Sequence, residues 1–316
     1  MTFRPAPWAR GPHLQTIVPT FTPVFGPQPA AEVLDVPVAP ETSVRTLVSA
    51  GGSRGTIVLI HGLGGSASGV YMVRTARAAL ARGWSVLRMN LRNCGGTERL
   101  SKTLYNAGQS DDLARVLEAM SSAGLPRPYA VIGFSLGGNL ALRYAGLAED
   151  ASAADLVVGV NPPVDLARCM DALELPANRG YHLYFRAKLI SQIRAIRKVR
   201  EVAGPEASWR TVRGVRGFDD VFTAPDAGHA DAAAYYRHAS SGPVLDRIRR
   251  PTLILSAADD PFVPVSMFPA GNGSGRHLRF LHPKTGGHCG YWASSSPRYW
   301  AAEVALQFLD SPENRP

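Results

Sequence analysis

Two rhythms of apolar and polar positions alternate through the first half of the chain. Short apolar runs rich in β-branched residues recur at 43–50 (SVRTLVSA), 56–62 (TIVLIHG), 84–92 (WSVLRMNLR) and 129–135 (YAVIGFS). Each has the length and composition of a strand, and most are apolar enough to be buried on both faces. Between them lie stretches with apolar residues every three or four positions, at 70–83, 110–124 and 136–148. The first stops at Gly83, and the second carries Asp111 and Asp112 in its opening turn, where the helix dipole favours acids. A further strand and loop follow at 154–166. Strand alternating with helix at this spacing predicts an α/β fold, a mostly parallel central sheet with helices on both faces.

The rhythm breaks near 167. From there to 250 no strand-like run appears, only a helical stripe such as Phe185, Leu189, Ile193 and Ile196. Strands resume at 251–260 and 276–283, and a helix closes the chain over 296–310, with Ser296 placed to cap it and Pro297 in its first turn. The pattern therefore predicts one core in two parts, 1–166 and 251–316, interrupted by a helical lid over 167–250. The proline-rich opening, Pro5 to Pro40, reads as an extended arm wrapped on the core.

Candidate chemistry enters through two matches to G-x-S-x-G, GGSRG at 51–55 and GFSLG at 133–137. A nucleophile elbow needs a buried strand before its serine and a helix directly after it. Ser53 lies between two strands, where Gly51, Gly52 and Gly55 read as a hairpin turn. Ser135 follows the YAVIGF run and precedes a helix, with Gly133, Gly137 and Gly138 leaving room for close packing. A serine hydroxyl needs a general base, and in this fold class an acid and then a histidine follow the nucleophile in chain order. Asp259 and Asp260 end the run LILSAADD, and Asp260, within a D-P-x-x-P turn, is preferred over Asp259. His288 sits in the glycine-flanked loop KTGGHCGYW, where glycines would give the loop freedom to swing an imidazole over the serine. His229, His238, His277 and His282 read as surface or packed residues.

An oxyanion needs two N–H donors. Leu136 supplies one, and the loop His61-Gly62-Leu63-Gly64-Gly65 after TIVLI is expected to supply the other from Leu63. Glycine-rich loops of this kind also bind phosphates, but no lysine or acidic ribose partner stands at dinucleotide-motif spacing. Cys94 and Cys289 fall near these residues in sequence, yet neither has an adjacent base that would make it the better nucleophile. Cys289 reads as a wall residue.

Composition narrows the setting. At 316 residues, 45% hydrophobic and 19% charged, the chain is a globular protein. No apolar run is long enough to span a bilayer, and the first residues lack the apolar core of a signal peptide. Three scattered cysteines, Cys94, Cys169 and Cys289, form neither a disulfide framework nor a metal pattern. A cytoplasmic, metal-free and cofactor-free protein is expected. The net charge of +9 is uneven, with ten Lys/Arg against Glu201 and Glu206 between Arg179 and Arg216. That basic stretch is a solvated face, or a patch for a membrane surface or an anionic ligand. Nucleic acid is not expected as a partner, because no motif with interleaved aromatics accompanies it.

Longer motifs tie these pieces together: RGPHLQTIVP (10–19), HGLGGSASG (61–69), RNCGG (92–96), GFSLGGN (133–139), FDDVFTAP (218–225), YYRHASSGPVLDRIRRPTLIL (235–255), AADDPF (257–262) and GGHCGY (286–291). With them the chain resembles the α/β-hydrolase superfamily, and more narrowly its YheT-like branch (AB hydrolase family 4). The resemblance implies a serine hydrolase of carboxylic esters, with relatives in higher organisms acting on medium-chain or oxidised phospholipids. Carried over by position, Ser135, Asp260 and His288 match the charge-relay residues of that family. Asn93 departs from the usual glycine of an R-G-C-G-G loop, which bears on the shape of the site rim. The resemblance leaves GPHLQT unexplained, with His13 either structural or lid-facing. An esterase with an apolar acyl substrate is the leading expectation, a membrane-surface lipid acyl hydrolase the second, and a non-catalytic binding protein on the same scaffold the third.

Overall fold

A computed structural model describes residues 2–269 and 277–314. Its centre is an eight-stranded sheet in the order β1-β2-β4-β3-β5-β6-β7-β8. The strands are β1 (Glu32–Ala39), β2 (Thr42–Ser49), β3 (Thr56–Ile60), β4 (Ser85–Met89), β5 (Tyr129–Phe134), β6 (Leu156–Val160), β7 (Thr252–Leu255) and β8 (Leu278–Leu281). β1 and β2 form an antiparallel hairpin, β2 runs antiparallel to β4, and every other pairing is parallel. Every residue of β3, β4, β5 and β6 is buried, as expected of strands covered on both faces.

Successive strand residues feed two separate cores. Val58, Ile60, Leu87, Met89 and Val131 pack on the face that carries α3 (Ser110–Ser122) and α4 (Leu136–Ala148). Ile57, Leu59, Val86, Ile132 and Phe134 pack on the other, beneath α2 (Val70–Leu80) and α10 (Trp300–Asp310). The chain leaves β3 for β4 on one side and returns to β5 on the other. This reversal opens a crevice at the carboxyl ends of the central strands, where sheets of this kind bind ligands.

Three expectations need correcting. The GGSRG segment is not a hairpin turn, because β4 lies between β2 and β3. The loop passes beneath the start of β4, where the Gly52 N–H donates to Ser85 Oγ at 3.1 Å, and Ser53 is exposed at the end of the sheet away from Ser135. The proline-rich opening wraps on the core as an extended arm only in part, through Arg77 bonds to Phe25 O and Gly26 O among others. Pro12 occupies the first turn of α1 (Pro12–Phe21), where a missing N–H is harmless, and residues 32–39 form the edge strand β1. Finally, α10 starts at Trp300, and Ser296 does not cap it. Residues 293–298 instead close a tight loop, with Ala293 N–H donating to Arg298 O at 2.7 Å.

Between β6 and β7 the described residues form helices only. α5 (Leu166–Leu173) is capped by Asp165, whose carboxylate accepts the Arg168 N–H at 3.1 Å. α6 (Arg179–Arg197) buries Leu189, Ile190, Ile193 and Ile196. α7 (Val215–Phe218), a wider turn at Asp219–Thr223, α8 (Ala224–Asp226) and α9 (Ala232–Ala239) complete the segment. Much of its positive charge is bound internally. Arg186 donates to Val212 O and Trp209 O, Arg194 to Ala207 O, and Arg197 to Val202 O and Gly204 O. These guanidinium groups fasten the loop after α6 back onto the helix. Among the described residues no helix is long and apolar enough to cross a membrane.

Candidate active site

Ser135 stands between β5 and α4 with φ 53° and ψ −122°, a conformation that a non-glycine residue adopts only under constraint. Surrounding backbone imposes it. A side chain at Gly137 would strike the carbonyls of Ile60 and His61, and one at Gly133 would strike the backbone of Gly137. The two glycines let α4 start against β3 and β5, which lifts the serine above the sheet edge.

The His288 Nε2 lies 2.8 Å from Ser135 Oγ, and its Nδ1 lies 2.7 Å from Asp260 Oδ2. Asp260 is fixed by its own turn, for its Oδ1 accepts the N–H groups of Phe262 and Val263 at 3.0 and 2.9 Å. Burial alone would lower the basicity of His288, but the Asp260 carboxylate, together with the neighbouring Cys289 sulfur, outweighs it and holds the imidazole above its ordinary value. Asp259 does not reach the ring. Its carboxylate accepts the Gly287 N–H at 2.9 Å and so anchors the histidine loop.

Sequence reasoning missed several residues that set this geometry. Asn161, at the carboxyl end of β6, donates from Nδ2 to Asp260 Oδ2 at 2.6 Å and to Gly287 O at 3.1 Å. The Tyr291 hydroxyl in turn donates to Asn161 Oδ1 at 2.8 Å. The only sequence signal for Asn161 was its place at a strand end before Pro162-Pro163. The unexplained GPHLQT motif also finds a place here. Thr16 Oγ1 accepts the His288 N–H at 2.9 Å, while Gln15 brackets Trp292, accepting from its N–H at 2.6 Å and donating to its carbonyl at 3.2 Å. The glycines around His288 therefore serve close approach rather than freedom. A side chain at Gly287 would meet Pro12 O and Thr16, and one at Gly290 would collide with Gln15 O.

The 61–65 loop is braced from behind. The buried His61 accepts the Leu91 N–H on Nε2 at 3.1 Å, so its proton is on Nδ1, which donates to Gly62 O at 2.8 Å. Burial lowers its pKa to about 4 and keeps the ring neutral. The Gly62 N–H donates to Tyr71 OH at 2.9 Å, Gly64 N–H to Tyr105 OH at 3.0 Å, and Gly65 N–H to Gly62 O at 3.1 Å. Among the described residues the Leu63 N–H meets no acceptor. Leu136 is the first residue of α4, where an N–H has no partner within the helix. Both amides therefore remain available beside Ser135.

Ser135 and His288 open on a cavity of about 530 Å³. Its walls are mostly apolar and aromatic, with Phe134, Tyr181, Tyr184, Phe185 and Phe262 among them, and α1 contributes Ile17 and Phe21. His13 is on the rim facing α6, its Nδ1 3.1 Å from Tyr181 OH. Cys289 is a wall residue, its thiol directed at Val160 O. Cys94 is off the cavity, and burial pushes its thiol up to about 12, which keeps it protonated. Asn93 is also off the cavity. It takes the left-handed conformation open to glycine, φ 57°, and donates to Thr103 O at 2.6 Å. Among the described residues no three His, Cys, Asp or Glu side chains are grouped so as to hold a metal ion.

A strand–serine–helix elbow facing a buried histidine at the carboxyl edge of a mostly parallel sheet defines a class. The chain belongs to the alpha/beta hydrolase fold family, whose profile matches residues 55–294. Within that family it is YheT-like, being 32% identical to YheT of Escherichia coli (strain K12) over 77% of this chain and 73% of that one. It is 26% identical to a monoacylglycerol lipase of Saccharomyces cerevisiae over 80% of this chain, and 26% identical to the phospholipase ABHD3 of Homo sapiens over 82%. The chain spans only 58% and 64% of those two longer proteins. Among solved structures, the Pyrococcus furiosus esterase Pf2001 superposes with a TM-score of 0.60 over 98% of this chain and 97% of that one. At 14% identity that likeness concerns the fold alone.

Proposed function

We propose that this hydrolase is a serine esterase that cleaves carboxylic esters with apolar acyl groups. The observation that carries the reading is the unbroken hydrogen-bonded line Ser135 Oγ–His288–Asp260 at the floor of an apolar cavity. Ser135 Oγ attacks the acyl carbonyl while His288 Nε2 takes its proton. The carbonyl oxygen becomes an oxyanion held by the N–H groups of Leu63 and Leu136, each donor contributing about 10²–10³ in rate. As the C–O bond to the leaving group breaks, His288 returns the proton to the departing alkoxide. Water then attacks the acyl-enzyme by the same steps in reverse, releasing the acid and restoring Ser135. Asp260 orients the ring and stabilises its charged form throughout. The helical segment between β6 and β7 acts as the lid, and its aromatic residues favour an acyl chain over a polar group.

The test is a series of p-nitrophenyl esters of increasing acyl length, run beside fluorophosphonate labelling. Ser135→Ala is expected to lower turnover at least about 10⁴-fold and to abolish labelling while the fold is retained. Labelling that persists in Ser135→Ala but is lost in Ser53→Ala would overturn the assignment.

A further inference from the structure

The mouth of the cavity lies between α1 and α6, and both helices turn apolar side chains to the outside there. Leu14, Ile17 and Phe21 stand on one face of α1, exposed by 46, 43 and 67%, and Phe25 beyond it is 83% exposed. Across the opening Leu183 and Tyr184 of α6 and the nearby Leu175 are exposed by 40, 41 and 54%. Of the twelve large hydrophobic residues exposed among the described residues, these are seven. Ile17, Phe21 and Tyr184 also line the cavity, so the exposed residues continue its apolar wall outward. The two helices meet at the His13–Tyr181 contact.

Charge tells what such a surface fits. Neither residues 1–31 nor residues 175–200 contain a single Asp or Glu. Arg4, Arg10 and Arg179 make no side-chain bond among the described residues, and Lys188 Nζ lies 5.7 Å from the centre of the Tyr184 ring at the mouth. The segments 1–31 and 175–200 that build this apolar rim thus carry cations and no carboxylate, Glu174 just outside them is paired with Arg216, and they offer long apolar side chains to insert. This arrangement is suited to the interface of an anionic lipid surface.

We infer that the α1–α6 rim docks on an anionic lipid surface, so that acyl substrate passes from lipid to Ser135 without crossing water. The inference rests on the ester-hydrolase reading for its substrate, but the docking itself is measurable without turnover. It also moves the contact from the body of the basic segment, whose Arg186, Arg194 and Arg197 are engaged by carbonyls, to the rim of the cavity.

The experiment is co-sedimentation of the full chain with phosphatidylcholine vesicles, with and without phosphatidylglycerol. Two variants accompany it: Leu14→Glu/Leu183→Glu at the rim, and Leu147→Glu as a control. Leu147, 42% exposed, is near the far end of α4, about 18 Å along the helix from Ser135. The native chain is expected to sediment with phosphatidylglycerol vesicles and to be released by salt. The rim variant should bind at least about tenfold more weakly and the control as the native chain does. The rim variant should also keep its thermal transition and its turnover of a dissolved short-chain ester while losing turnover of the same ester held in vesicles. Absence of binding, binding indifferent to phosphatidylglycerol, or equal loss in the control would each refute docking. Binding with the expected pattern but no ester turnover would keep docking and refute the esterase reading instead.

Discussion

Replacing Thr16 by Val keeps the shape of the side chain and removes the oxygen that accepts the His288 N–H at 2.9 Å. The Pro12 carbonyl that Thr16 Oγ1 also bonds lies four residues earlier in the same helix, so it keeps the α-helical N–H bond and loses little. The loss therefore falls on a buried main-chain donor at the histidine itself. An unsatisfied buried N–H costs about 1–3 kcal/mol, and the loop can recover part of this only by moving His288 off Ser135. If the penalty is expressed in the catalytic geometry, kcat falls by about 5- to 150-fold, since about 1.4 kcal/mol is a factor of ten. Thr16 lines the cavity but bonds the His288 main chain rather than Ser135, so it acts as a positioning residue, and the loss should fall on kcat more than on KM. Saturation kinetics with a dissolved p-nitrophenyl ester give the two constants. Thr16→Ser, which restores the oxygen, should return kcat towards the native value. Native kcat in Thr16→Val, or equal loss in both variants, would refute the argument and leave Thr16 as a packing residue.

Two other substitutions probe the same line. His288 is held above the ordinary histidine pKa of 6.5, and it is idle as a base while protonated. Thus kcat/KM should rise with pH through a midpoint above 6.5, and Asp260→Asn should move that midpoint down while cutting the rate about 10⁴-fold. A midpoint unmoved by Asp260→Asn would sink the claim that its charge raises His288. Asn161→Ala removes the 2.6 Å bond to Asp260 Oδ2 and leaves the Tyr291 hydroxyl without its acceptor. It should lower the thermal transition by the equivalent of about 1–3 kcal/mol and reduce kcat, whereas an unchanged melting curve would show that water replaces the amide without cost.

What could be read in the chain divides by range. β3, β5 and β6 are legible because each is a continuous apolar run whose burial on both faces demands that composition. Ser135, Asp260 and His288 stand out because each follows a strand in a turn of distinctive residues, and in the fold they are neighbours. α1 was obscured by Pro12 and Pro19, which suggest extension although the first suits a helix start. The pairing of β2 with β4 could not be anticipated, because nothing local to either strand selects its partner. Asn161 and Thr16 were silent for the same reason. Their partners are 99 and 272 positions away, and a polar residue gives no sign of a contact made across that distance.

α1 leaves one consequence for how this molecule can be divided. The family profile spans residues 55–294, and that span contains Ser135, Asp260 and His288. Yet the oxygen that seats His288 belongs to Thr16, and the residues clasping its loop at Trp292 come from Gln15. A fragment trimmed to the recognisable fold would carry all three reactive side chains with the histidine cut loose from its support. The boundary of the recognisable fold and the boundary of the working part do not coincide. The second reaches back at least to Arg4 and Ala6, for the Ala6 N–H donates to Trp292 O and Arg4 O accepts the Ser294 N–H, each at 3.0 Å.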